Sequence, residues 1–126
     1  MHYAILAYHV EGVVESWSEE EDKALMDELL ATHERMVAAK HFGPAARLGA
    51  TEDAKTLRGP GGGMVIDGPF AETKEQLLGF YVVDFPSMDA ALEAAREMRR
   101  SNPSAVYEVR PILLYLPGAE LAASEA

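Results

Sequence analysis

The residues of this chain whose types and spacing best suit chemistry fall in one stretch: Met64-Val65-Ile66-Asp67-Gly68-Pro69-Phe70-Ala71-Glu72-Thr73-Lys74-Glu75-Gln76. Gly68 permits backbone geometry closed to other residues. Pro69 fixes its own φ and steers Gly68 toward extended conformations. Phe70 can anchor the turn in apolar surroundings. Such a turn would hold Asp67 in one orientation at the end of a strand, as a general acid/base or a ligand-gripping carboxylate requires. Glu72, Lys74 and Glu75 add opposite charges close by. The same residues also make an ordinary Asp-Gly-Pro turn followed by a solvated loop.

Two histidines are candidate partners. His33 lies on the apolar stripe of a predicted helix, between Leu30 and Val37, where a core histidine is commoner than a catalytic one. His9 falls at the far end of the first predicted strand and is expected at the surface. In an enzyme acting on a small organic molecule, Asp67 would be the acid/base and His33 or His9 an auxiliary base. Lys74 or Arg110 would hold an anionic group. Asp67, His9 and His33 are metal-ligand types, but no H-x-x-x-H spacing occurs and cysteine is absent, so neither a metal nor another cofactor is expected. The glycine run Gly59-Pro60-Gly61-Gly62-Gly63 leads into a strand and lacks the Gly-Lys-Ser/Thr of a phosphate loop.

The formal charge of −10 argues against a nucleic-acid partner, which needs a basic footprint, and against an anionic membrane surface. No signal-peptide pattern or membrane-length apolar run is present, so a cytoplasmic protein is expected. The length suits one domain, placed at residues 1–118, with a flexible tail at 119–126.

The elements that must position these residues read as follows. Tyr3–Val10 is a strand apolar on both faces, predicted to be buried on both. Ser18 and Glu21 form a capping box for a helix running to about Lys40, stopped by Gly43-Pro44, with Met26, Leu29, Leu30, Met36 and Val37 as its buried stripe. Residues 45–49 are weakly extended, Lys55–Arg58 is a short edge strand, and Met64–Ile66 and Gly79–Phe85 are strands. Ser87 caps a second helix with Met88, Ala91, Leu92, Ala95 and Met98 inward. Residues 105–113 form a last strand with Glu108 and Arg110 on one face. This order predicts an α+β, ferredoxin-like fold with two helices on one face of an antiparallel sheet. The other face carries Tyr, Phe and Val, and a homodimer would cover it.

Asp67-Gly68-Pro69-Phe70-Ala71-Glu72-Thr73-Lys74-Glu75, with Gly79-Phe80-Tyr81 and Glu108-Val109-Arg110-Pro111, resembles the DGPF-domain proteins of the YCII-related family. The resemblance spans roughly residues 1–118. It implies a ferredoxin-like dimeric α/β barrel in a small bacterial protein. Gly68, Pro69, Phe70, Glu72, Lys74, Glu75, Tyr81 and Arg110 are the candidate ligand-binding residues, with Asp67, His33 and His9 as the catalytic candidates. A characterised relative in the wider family is a dehydrochlorinase of a chlorinated hydroxyquinol, and a His–Asp pair in a cleft is the proposed machinery. The family histidine on the first helix aligns nearer Leu29 than His33, one turn away. Several DGPF genes accompany extracytoplasmic-function sigma factors, which implies the alternative of a non-catalytic dimer that binds a ligand or protein in sigma-factor regulation.

Overall fold

A computed structural model describes residues 1–124. The last two residues of the expected tail, 125 and 126, lie outside the described residues. The chain runs β1 (His2–Val10), α1 (Glu19–Ala38), β2 (Phe42–Arg47), β3 (Lys55–Arg58), β4 (Met64–Asp67), β5 (Glu75–Asp84), α2 (Met88–Ser101) and β6 (Val106–Pro111), with single 3-10 turns at Val14–Ser16 and Thr51–Asp53. Four strands form one sheet in the order β2-β5-β1-β6, every neighbouring pair antiparallel. The architecture is α+β with two helices and an antiparallel sheet, consistent with a ferredoxin-like fold. β3 and β4 form a separate two-stranded ribbon.

Both helices start as their sequences dictate. The Ser18 hydroxyl accepts from the Glu21 N–H at 3.0 Å, and the Glu21 carboxylate accepts from the Ser18 N–H at 3.2 Å. Ser87 caps α2 through the Ala90 N–H. The end of α1 corrects the expectation built on Gly43-Pro44. The helix stops at Ala38 because Lys40 turns left-handed, at φ 63°. The Lys40 N–H then bonds the Val37 carbonyl and the His41 N–H bonds the Met36 carbonyl, both at 2.9 Å, which is a Schellman closure. Gly43 and Pro44 are left free to enter β2.

Pairing registers stack the inward-facing residues into cross-sheet rows, because directly paired residues share a face. Phe42, Val83, Tyr3 and Pro111 make one row, and Ala45, Tyr81, Ile5 and Val109 the next. These rows meet Leu29 and Met36 of α1 and Ala91, Ala94, Ala95 and Met98 of α2 in the core. The alanines of α2 let that helix approach the sheet closely. Two parts of the expected α1 stripe, Leu30 and Val37, are exposed instead, so the buried stripe is narrower than predicted. The expected burial of β1 on both faces also needs correction: Tyr3, Ile5 and Ala7 are buried, whereas Ala4, Leu6 and Tyr8 on the outer face are only half-buried.

Beyond those rows the sheet thins. The third row is Arg47, Gly79, Ala7 and Tyr107, with the two smallest side chains on the two central strands. A β-bulge follows at once: Ala7 pairs with Gly79 but Tyr8 pairs with Leu77, leaving Leu78 as the extra residue. β5 begins at Glu75, four residues before the predicted Gly79, because this bulged segment still pairs with Tyr8, His9 and Val10.

Candidate functional site

A cavity of about 440 Å3 occupies the space above that thin row, between α1 and the sheet. Its helical wall is Leu25, Met26, Leu29, Leu30 and His33, a single face of α1. Its sheet wall is Ala7, Gly79, Tyr81, Tyr107 and Arg47, and His9, Trp17 and Asn102 also line it. The cavity exists because Gly79 and Ala7 stand where the adjacent row has Tyr81 and Ile5. The volume lies within the range of about 300–1,000 Å3 usual for small-molecule sites, and the mix of apolar walls with a few polar groups is usual too.

His9 is 5% exposed, which corrects the expectation of a surface position. It continues the inward alternation of Tyr3, Ile5 and Ala7 along β1. Its Nε2 lies 3.3 Å from the Asn102 amide nitrogen and its Nδ1 3.5 Å from the Ser104 hydroxyl, so the nitrogen facing Asn102 accepts and Nδ1–H points to Ser104. Trp17 packs edge-on to the ring with centroids 5.5 Å apart. Burial, reinforced by the Arg47 charge and opposed by Glu15, holds the imidazole below its ordinary range.

His33 projects from α1 between Phe42 and Tyr81, with ring centroids 5.7 and 6.2 Å away. Its Nδ1 is buried without a hydrogen-bond partner. Leu29, the position nearest the histidine that the resemblance assigns to this helix, lines the same cavity one turn earlier. Burial pushes the Tyr81 phenol up to about 12, with Tyr107 adding to the effect, and burial raises Tyr107 as well. Both phenols therefore stay protonated at neutral pH.

Arg47 carries the only permanent positive charge among the lining residues. Its guanidinium forks onto Asp22 in the first turn of α1, with N–O distances of 2.7 and 3.2 Å. That bond holds the Asp22 carboxyl below the usual carboxylate range. The pair closes the gap between β2 and the start of α1.

The cavity thus gathers His9, His33 and Tyr81 of the residues predicted from sequence. It does not gather Asp67, Gly68, Pro69, Phe70, Glu72, Lys74, Glu75 or Arg110. Asp67 ends β4 on the ribbon, with its side chain 85% exposed and paired with Lys55. The turn is tied down by hydrogen bonds, with Gly68 at a positive φ where an extended conformation was expected. Gly68 adopts φ 99°, its N–H bonds the Ala54 carbonyl, and its own carbonyl accepts from the Thr56 hydroxyl at 2.8 Å. Phe70 is 74% exposed and stacks under the Arg58 guanidinium, not in an apolar socket. Glu72 and Lys74 lie in the exposed connection to β5, where the Lys74 carbonyl accepts from the Glu11 N–H, and Glu75 is the first residue of that strand. Arg110 stands on the outer face of β6, 4.0 Å from Glu108.

Arg47, Tyr107, Asn102, Trp17 and the Ala7–Gly79 floor escaped sequence reasoning. The available signal was the pair of smallest residues inside strands otherwise rich in large ones. Among the described residues, no group of three or more histidine, aspartate or glutamate side chains is positioned to hold a metal ion. No helix among the described residues is long and apolar enough to cross a membrane.

The family model of the YCII-related domain matches residues 1–115. An uncharacterised protein of Rhizobium meliloti (strain 1021) is 52% identical over 120 residues, covering 94% of this chain and 97% of the relative. The chain belongs to the YCII-related family.

Proposed function

We propose that this protein binds a small, largely apolar organic molecule in the cavity between α1 and the sheet, with His33 as the proton acceptor or donor. The observation that carries this reading is the row Arg47–Gly79–Ala7–Tyr107, which omits side chains from the centre of an otherwise filled sheet face and leaves about 440 Å3 beside two histidines. His9 has both ring nitrogens near polar neighbours, so it serves as a wall and His33 as the reactive group. A thermal-shift screen of aromatic and aliphatic small molecules tests the reading. Hits should be lost in an Ala7→Val variant that narrows the floor, and hits unaffected by that change would place binding elsewhere.

We further propose a homodimer packed through the outer face of the sheet. Leu6, Phe80, Val82 and Val106 lie on that face by register, and Leu57, Met64 and Val65 on the ribbon and Phe70 in the turn after it are exposed. Such an area of apolar surface favours a second copy of the chain. In that assembly Asp67 and the turn formed by Gly68, Pro69 and Phe70 would be sheltered by the partner, the condition under which an acid/base role for Asp67 becomes physically reasonable. A monomer mass by light scattering at micromolar concentration would refute the dimer.

A further inference from the structure

We infer that Arg47 is the anion grip of the cavity and that the ligand is a small carboxylic acid with an apolar body; this rests on the reading of the cavity as a binding site. Three observations support it. First, Arg47 lines the cavity from the same row as Gly79 and Ala7, and its charge is close enough to act on His9, which lines the cavity too. Second, its guanidinium already displays the two-pronged geometry that a carboxylate takes, on Asp22, with both side chains partly open to solvent at 44% and 36% exposure. A ligand carboxylate can replace Asp22 on that fork without leaving the guanidinium uncompensated. Third, burial disfavours charge on three other polar groups of the lining, His9, Tyr81 and Tyr107.

Glu15 is the competing feature, since it also lines the cavity and favours a cation. It is exposed on the loop after β1, where solvent weakens its pull. A compact apolar body with one carboxylate satisfies the aliphatic helix face and the Arg47 fork together. Asp22 then acts as a resident competitor that sets how tightly such an acid binds.

The test is calorimetric titration of the full chain with three matched probes, 4-butylbenzoate, 4-butylbenzamide and 4-butylbenzylamine, with amide shifts of Ala7 and Gly79 followed by NMR. The benzoate should bind roughly tenfold or more tightly than the benzamide. Asp22→Asn, which keeps Arg47 and removes its competitor, should tighten the benzoate and leave the benzamide unchanged. Arg47→Gln should erase the preference while the benzamide still binds, which also shows that the variant is folded. Equal binding of acid and amide, tighter binding of the amine, or a benzoate preference that survives Arg47→Gln overturns the inference while leaving the cavity reading intact. Absence of shifts at Ala7 and Gly79 with all three probes overturns both.

Discussion

Ala7 on β1 and Gly79 on β5 pair directly across the two central strands, and together they form the floor of the cavity. Their flanking partners in the same row, Arg47 and Tyr107, are long. A sheet face that is small at its centre and tall at its edges is a trough, and α1 roofs it.

The floor should respond to added volume. Ala7→Val places two methyl groups into space the native chain leaves open, so it is expected to stabilise the fold by about 0.5–2 kcal/mol while weakening ligand binding. Chemical denaturation measures the first effect and titration with any hit from the screen the second. A loss of stability would mean that the floor is already at packing density.

Gly79 is a different case. A Cβ there would come 2.9 Å from the Ala46 backbone carbonyl oxygen, and backbone does not swing aside as a side chain can. Gly79→Ala should therefore cost roughly 1–3 kcal/mol by forcing β2 and β5 apart. A urea midpoint equal to that of the parent protein would contradict this.

His9 gives the stability a pH dependence of definite sign. Its imidazole is held below the ordinary value of 6.5, first by burial and then by Arg47. The unfolded chain therefore takes up this proton before the folded one as pH falls. His9 leaves stability untouched well above pH 6.5, and below it stability declines until the folded-state value is passed. Melting curves between pH 7 and roughly 5 should show that decline, and His9→Gln should flatten it. A slope the same in both proteins would assign the pH effect to other groups.

Asp67 and Lys55 form an ion pair exposed on both sides, so Asp67→Asn should change stability by less than about 1 kcal/mol. If Asp67 nonetheless acts in a dimer, the variant should lose turnover of any identified substrate at an unchanged melting temperature. A large fall in melting temperature would instead make Asp67 structural.

Local signals carried much of the fold. Ser18 and Ser87 mark both helix starts, and the short run Lys55–Arg58 has the bounds expected of it. Features that depend on distant partners were not legible. Lys40 stops α1 through a left-handed turn that residue type does not advertise. His9 looks like a strand end in sequence, yet it is enclosed by Asn102 and Ser104, more than ninety positions away. The Asp67 turn drew attention because its chemistry is contiguous. The cavity is assembled from residues of all four sheet strands and α1, and no window of sequence contains it. Arg47 in particular is an unremarkable surface cation until register sets it beside Gly79.

The bulge at Leu78 has a consequence for how this site can change over time. With regular pairing continued from Gly79, Leu78 would meet Tyr8 and Leu77 would meet His9; the extra residue instead brings Gln76 opposite the histidine. The polarity at that end of the trough is therefore set by a count of residues and not by their identity. A homologue with one more codon between Leu77 and Gly79 and the same single-residue bulge would present a leucine there. Insertion and deletion, more than substitution, is the route by which this lineage would exchange a polar terminus for a greasy one.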